Sequence, residues 1–317
     1  MTDQYRIPTP PAIAGRSWRP LQPADQDAIT ALSAACQSVD GGQALVAANA
    51  YIPAPGADTP PHATIGAFDS AGRLAACAAV WLDQTPDRAH ANILGQVHPN
   101  DRGRGIGNFL LSWSITQAHV LLSATSGDRP RVLRVTTEAL TPAAERLYMR
   151  YGFTQQFAED IMRRELRGAL PDAPFPPGVT LTTWTPALAG QFFEAYQDSF
   201  RERPGFPIWN AAEQWIEWAT GDDGFQPQMS LLARDGQQPV GFIVCDDAWI
   251  VQVGTHPTWR GRGLGAALVV EALRRFQASG AEHVTLDVNV NNPGAARVHA
   301  WLGFQVVGRR ARYVRDE

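Results

Sequence analysis

The sequence predicts an α/β fold, a mixed sheet of the α+β kind covered by helices, built twice in tandem. Three observations carry this expectation. A glycine-rich stretch, His98-Pro99-Asn100-Asp101-Arg102-Gly103-Arg104-Gly105-Ile106-Gly107, recurs as His256-Pro257-Thr258-Trp259-Arg260-Gly261-Arg262-Gly263-Leu264-Gly265. Downstream of each copy comes a second shared stretch, Leu147-Tyr148-Met149-Arg150-Tyr151-Gly152-Phe153 and Val298-His299-Ala300-Trp301-Leu302-Gly303-Phe304. In both halves, β-type apolar runs alternate with amphipathic helical ones, the pattern of layered strands and helices. Repeats of this length mark whole structural units, and 317 residues suit two domains of about 150 each.

Each half opens on a helical segment, 23–35 and 186–200. Strand-like runs follow at 64–68 and 74–82 in the first half, and at 229–233 and 240–245 in the second. A third strand leads into each glycine stretch, at 91–97 and 249–255. Beyond it Ile106, Phe109, Leu110, Trp113, Val120 and Leu121 keep the spacing of one helix face. Another strand, 132–136 or 283–288, precedes a helix stopped at Gly152 or Gly303, where glycine adopts the left-handed cap. The first copy carries about seven extra residues between its two motifs, assigned to the polar stretch 123–130. The proline- and glycine-rich segment 168–178 reads as a linker, giving domains at 1–167 and 179–317.

Composition narrows the chemistry. With 44% apolar and 18% charged residues the chain folds rather than staying disordered. It contains no lysine, which excludes a Walker-type phosphate loop, a Schiff base and a lysine nucleophile. A net charge of −4 with scattered arginines argues against nucleic acid as a partner. Cys36, Cys77 and Cys245 are far apart, as in a reduced cytoplasmic protein, and no Cys/His spacing suggests a metal site. Residues 1–11 lack the apolar core of a signal peptide, and no apolar run approaches the roughly 20 residues of a membrane span.

The spacing Arg-x-x-Gly-x-Gly between a strand and a helix describes an anion site. The first backbone N–H groups of a helix lack intrahelical partners, and the helix dipole adds positive potential there. Glycines at 103, 105 and 107, and at 261, 263 and 265, let phosphate oxygens approach the backbone, with Arg102 or Arg104 and Arg260 or Arg262 adding charge. The spacing is not the Rossmann G-x-G-x-x-G, and no acidic residue follows at the required distance.

These two motifs, each present twice, resemble those of the GNAT superfamily of acetyl-CoA-dependent N-acetyltransferases, and the tandem arrangement is similar to that of mycothiol synthase-like members. The resemblance implies that Arg102, Gly103, Arg104, Gly105, Ile106 and Gly107, and Arg260, Gly261, Arg262, Gly263, Leu264 and Gly265, hold the pyrophosphate of coenzyme A. It implies that the preceding strand splays from its neighbour to pair with the pantetheine arm. A bulge there would present backbone donors near Gln96 and Val97, or Val253, Gly254 and Thr255, to the thioester oxygen. The family's proton-donating tyrosine corresponds to Tyr148 in the first copy and to His299 in the second. Its asparagine, seven residues earlier, is Asn292 in the second copy and Thr141 in the first. Asn292 and the flanking strand favour the second copy as the catalytic one, with His299 donating as an imidazolium. Glu138, Asp246, Asp247, Gln252 and Asp287 are candidates for a base, although ordered water can serve instead.

The acceptor is expected to be a small-molecule amine. Arg203, Phe206 and Trp209, with Trp215 and Trp218 interleaved by acidic residues, suit the wall of its pocket, and Trp215 and Trp218 equally suit helix packing. Two other readings fit the same residues: a module that holds acyl-CoA without turnover, and a protein N-acetyltransferase. Monomer and homodimer both remain open.

Overall fold

The structure, a computed structural model, describes residues 6–12, 15–41, 50–52, 61–84, 88–124, 129–201, 209–221 and 223–317. Its chain contacts divide into two compact units, one of residues 1–160 with 307–317, the other of residues 161–306.

In the first unit, β1 (Arg16–Arg19) and α1 (Gln26–Asp40) precede a meander of β2 (His62–Asp69), β3 (Leu74–Gln84) and β4 (Ala89–Val97). Then come α2 (Ile106–Ser123), β5 (Arg131–Thr137), α3 (Pro142–Arg150) and β6 (Thr154–Glu165). β3 reads as an unbroken apolar run because it is covered on both faces, with residues 74–80 all buried beneath α1 and α2. Ile29 and Leu32 of α1 pack on Cys77, Ala79 and Leu94. β1 to β4 pair antiparallel, whereas β4 and β5 pair parallel, since α2 must cross over between them.

The second unit repeats the plan. β7 (Val179–Thr183), α4 (Ala189–Phe200) and α5 (Ala212–Thr220) lead to β8 (Leu231–Asp235), β9 (Gln238–Asp246) and β10 (Trp249–Thr255). α6 (Leu264–Ala278), β11 (His283–Asn289), α7 (Pro293–Trp301) and β12 (Gln305–Asp316) follow. Leu264, Leu268, Val269 and Leu273 of α6 pack with Val240, Ile243, Val284 and Leu286 of the sheet. On the other face Phe192 and Tyr196 of α4 and Trp215 of α5 meet Phe242 and Val244.

The last strand is where chain order and unit part company. β12 pairs antiparallel with β5, from Ala311↔Thr137 to Asp316↔Val132, so that residues 307–317 complete the first unit. The first unit's strands run β1-β2-β3-β4-β5-β12-β6, and the second unit's run β11-β10-β9-β8-β7. The segment 168–178, expected as a linker, therefore lies inside the second unit. Among the described residues no helix is long and apolar enough to cross a membrane, and no group of three or more His, Cys, Asp or Glu side chains is placed to hold a metal ion.

Candidate active site

The two glycine loops have the same local geometry. After a 3-10 turn that starts at Pro99 or Pro257, the histidine before it caps the turn: His98 Nδ1 accepts from Asn100 N–H at 3.2 Å, and His256 Nδ1 from Thr258 N–H at 3.3 Å. Gly103 and Gly105 have φ of 75° and 79°; Gly261 and Gly263 have 75° and 85°. All four occupy the left-handed region, which explains why glycine stands at these positions. A Cβ built on any of them meets nothing within 4 Å, so the loops face open space. Gly105 and Gly263 are the N-caps of α2 and α6, offer no side chain to the first-turn amides, and no acidic residue stands in either first turn. These helix ends keep unpaired N–H groups and uncompensated dipoles, whereas α3 and α7 are conventionally capped.

Those caps bear on the expectations for Asn292 and Thr141. Asn292 Oδ1 accepts from Ala295 N–H at 3.2 Å, and Thr141 Oγ1 from Ala144 N–H at 3.2 Å. Both residues start the last helix of their copy in the same way, so the difference between them does not distinguish the copies.

The arginines divide by role. Arg102 clasps Asp40, the last residue of α1, with both Nη atoms at 2.6 Å, and its Nε donates to Val97 O at 3.1 Å. Arg260 Nη2 donates to Ser199 O in α4 at 3.1 Å. The first arginine of each loop thus ties the loop to the first helix rather than standing at the rim as a free cation. Arg104 is exposed, with Nη1 3.3 Å from Asp101, and Arg262 stacks over the Trp259 ring at 5.0 Å. These second arginines are the ones positioned to meet an anion.

In the first unit the loop opens on a cleft of ≈ 480 Å³ whose walls include Gly95, Gln96, Val97, Gly103, Gly105, Ile106, Gly107, Thr137, Glu138 and Tyr148. The cleft exists because the parallel register of β4 with β5 ends at Ile93↔Val135, leaving 94–97 separated from 136–137. Gln96 hydrogen-bonds Ser33 of α1 at 3.1 Å and also reaches the fully buried Tyr51. Tyr148 hydrogen-bonds Thr137, and its ring packs 5.2 Å from Tyr313 of β12. Burial pushes the Tyr148 hydroxyl up to about 12, so it is a neutral phenol throughout the physiological range.

In the second unit β10 and β11 pair parallel only at Trp249↔Thr285 and Ile250↔Leu286 before parting, and β10 carries a bulge between Ile250 and Gln252 against β9. Val253 is partly buried against the core, and Gly254 admits no side chain: a Cβ there would stand 2.5 Å from Phe242 and 2.6 Å from Ser199. Gly265 lies close to Thr255, whose Oγ1 would be 3.2 Å from an added Cβ, and Leu264 is buried. His299 is 6% exposed, packs edge-on to Phe304 at 5.9 Å, and leaves Nδ1 without a hydrogen-bond partner. Burial lowers its pKa to about 4. The ring is neutral at pH 7, so the expected imidazolium donor is absent: among the described residues no carboxylate stands by to repay the desolvation of a charge.

Of the expected acceptor-pocket residues, Arg203 and Phe206 lie outside the described residues. Trp209 stacks on Trp218 at 6.3 Å and both rings are partly exposed, while Trp215 is fully buried and donates from Nε1 to Gln252 Oε1 at 3.2 Å. The residues that sequence reasoning missed in the first cleft are Asp40, Ser33, Thr137 and Tyr51. None of them carried a signal, since the opening helix was expected to end at 35 and the structure extends it to Asp40.

The comparisons with known proteins agree with this architecture. The model of the Acetyltransferase (GNAT) family matches residues 189–304. A mycothiol acetyltransferase of Saccharopolyspora erythraea is 30% identical over 262 residues, covering 78% of this chain and 84% of that protein. A GCN5-related N-acetyltransferase from Sphaerobacter thermophilus superposes with a TM-score of 0.73 at 25% identity, covering 97% of each chain. A tandem GNAT protein from the clavulanic acid biosynthesis pathway has the same fold, with a TM-score of 0.60 at 18% identity over 95% of this chain and 98% of that one.

Proposed function

The chain belongs to the GNAT family of acetyltransferases and is an N-acetyltransferase, and from that premise we propose that it moves the acetyl group of acetyl-CoA onto the amine of a small-molecule acceptor. The observation that carries the cofactor half of this reading is the pair of uncapped helix N-termini, each opened by two left-handed glycines onto free space. A diphosphate there receives several N–H donors and the positive end of a helix dipole. The relatives named mycothiol acetyltransferase support an acetyl acceptor of low molecular weight, and the acceptor here is a small amine in the same sense.

We take the cleft of the first unit as the site of transfer. Tyr148 stands in it, oriented by Thr137 and Tyr313. A phenol held near 12 does not surrender its proton outright to a thiolate, whose ordinary pKa is about 8.5. It stabilises the leaving sulfur by donating a hydrogen bond, and the proton the sulfur finally carries originates on the attacking nitrogen. The β10 bulge favours a second reading, with transfer in the second unit, because a bulge re-aims backbone donors. The readings separate by experiment. A thiol-release assay of purified protein with acetyl-CoA and a panel of amines is expected to identify at least one acceptor. Tyr148→Phe should then lower kcat by about 100-fold or more while His299→Phe leaves it near wild type. The reverse result assigns the chemistry to the second unit, and no release with any amine refutes the transfer itself.

A further inference from the structure

Glu138, the residue after β5, lines the first cleft alongside Thr137 and Tyr148. Its Oε2 is enclosed by protein and has no hydrogen-bond partner. An enclosed carboxylate oxygen left unsatisfied costs free energy that a fold normally avoids, and such an orphan in a cleft points to a ligand. Among the described residues none is a hydrogen-bond partner of that oxygen. Arg310 and Arg312 of β12 act on it through space, but Arg310 is committed to Glu159, with Nε and Nη2 donating to Oε2 at 2.9 and 2.6 Å. Glu159 is the remaining charge that faces it.

The cleft brings this carboxylate together with the phenol. Alternate residues of a strand point to opposite faces. Tyr313 of β12 packs against Tyr148, whereas its neighbour Arg312, like Arg310, acts on Glu138 through space. The cleft is thus lined both by a neutral hydroxyl, from Tyr148, and by a carboxylate with one unpartnered oxygen.

We propose that Glu138 binds the acceptor as its ammonium form and serves as the base that frees the nucleophile. This inference rests on the first cleft being the transfer site. The ammonium gives one proton to the Glu138 carboxylate. The freed nitrogen lone pair forms the C–N bond at the thioester carbonyl, whose oxygen becomes an oxyanion. Collapse of that intermediate breaks the C–S bond as the second nitrogen proton passes to sulfur, yielding amide and free thiol, and Glu138 returns its proton to water. Burial raises the Glu138 pKa, which makes its carboxylate a stronger base than an exposed one.

The test uses the full-length protein and Glu138→Gln. With product coenzyme A bound, calorimetry of benzylamine is expected to show at least 10-fold weaker binding in the variant, with coenzyme A affinity unchanged. With any amine that wild type turns over, kcat/KM should fall by about 100-fold and the acid limb of its pH profile should disappear. Thermal stability separates this role from a structural one: losing an unpaired carboxylate should leave the melting temperature equal or higher, whereas losing a structural ion pair would lower it. Equal benzylamine binding, an unchanged pH profile, or a lowered melting temperature overturns the proposal. Absence of turnover by wild type with every amine refutes the transfer reading instead, and the binding comparison still decides whether Glu138 receives an ammonium.

Discussion

Tyr148 and His299 hold equivalent posts four residues before a helix-ending glycine, and each one's setting decides what it can do. Thr137 satisfies the Tyr148 hydroxyl, and the corresponding position in the second copy is the buried Val288, which offers nothing to a ring nitrogen. His299 therefore binds its proton more weakly in the fold than in the unfolded chain, with a pKa near 4 against an ordinary 6.5. Between those values the unfolded chain holds more protons than the native one, so stability falls as pH drops through this window and is unpenalised above 6.5. At pH 4, wild type should lose on the order of 3 kcal/mol that His299→Phe does not lose, read from denaturant midpoints of the two proteins between pH 4 and 7. Parallel pH dependence of wild type and variant would show that the ring is hydrated after all. This was not legible in the sequence, since histidine at a helix end is as compatible with a solvated imidazolium as with a buried neutral ring.

At the scale of elements, the helix that follows each glycine loop is built to leave its N-terminus unfinished, and the helix after the next strand is built to be complete. Asn292 and Thr141 cap the latter at one end; at the other, Gly152 N–H donates to Met149 O and Phe153 N–H to Tyr148 O, with the same pair of bonds at Gly303 and Phe304. That double bond pattern is a Schellman motif, which is why the Gly-Phe pair repeats: the glycine takes φ of 79° or 87° and the phenylalanine is buried. The repeats, the element order and the left-handed glycines were legible because each follows from local backbone rules. The roles of the arginines were not, because Asp40 and Ser199 reach Arg102 and Arg260 across more than 60 positions of chain. Replacing Gly105 or Gly263 by Ala should cost about 1–2 kcal/mol of stability, from the left-handed backbone alone, because the new Cβ meets no atom within 4 Å. The same methyl intrudes on the anion, so coenzyme A binding at the altered loop should weaken at least 10-fold in calorimetry. Full affinity in both variants would remove the loops from the cofactor site.

For the whole molecule, the informative feature is that the chain's last strand belongs to its first unit. Sequence periodicity could not reveal this. A terminal strand reads the same whichever sheet receives it, and only the pairing of β12 with β5 identifies the host. Residues 307–317 supply that unit with two buried side chains, Ala311 and Tyr313, and Tyr313 both packs on Tyr148 and directs its hydroxyl to Glu145 and Gln155 at 3.3 Å. Deleting them leaves the β5 ladder from Val132 to Thr137 without its antiparallel partner and strips one wall from the tyrosine. Lost ladder bonds at about 1 kcal/mol each, with the lost aromatic burial, approach the 5–15 kcal/mol that a domain has in total. A chain ending at Val306 should therefore lose hydrogen-exchange protection over 131–137 and 142–150, while the second unit's strands between 231 and 289, which receive nothing from residues 307–317 within their own unit, keep theirs. Its acetyl transfer should fall with the first unit if Tyr148 is the working residue and survive if the second unit carries the chemistry. Undiminished protection at 131–137 would mean that β5 does not depend on the chain terminus, and the division of the molecule described above would have to be redrawn.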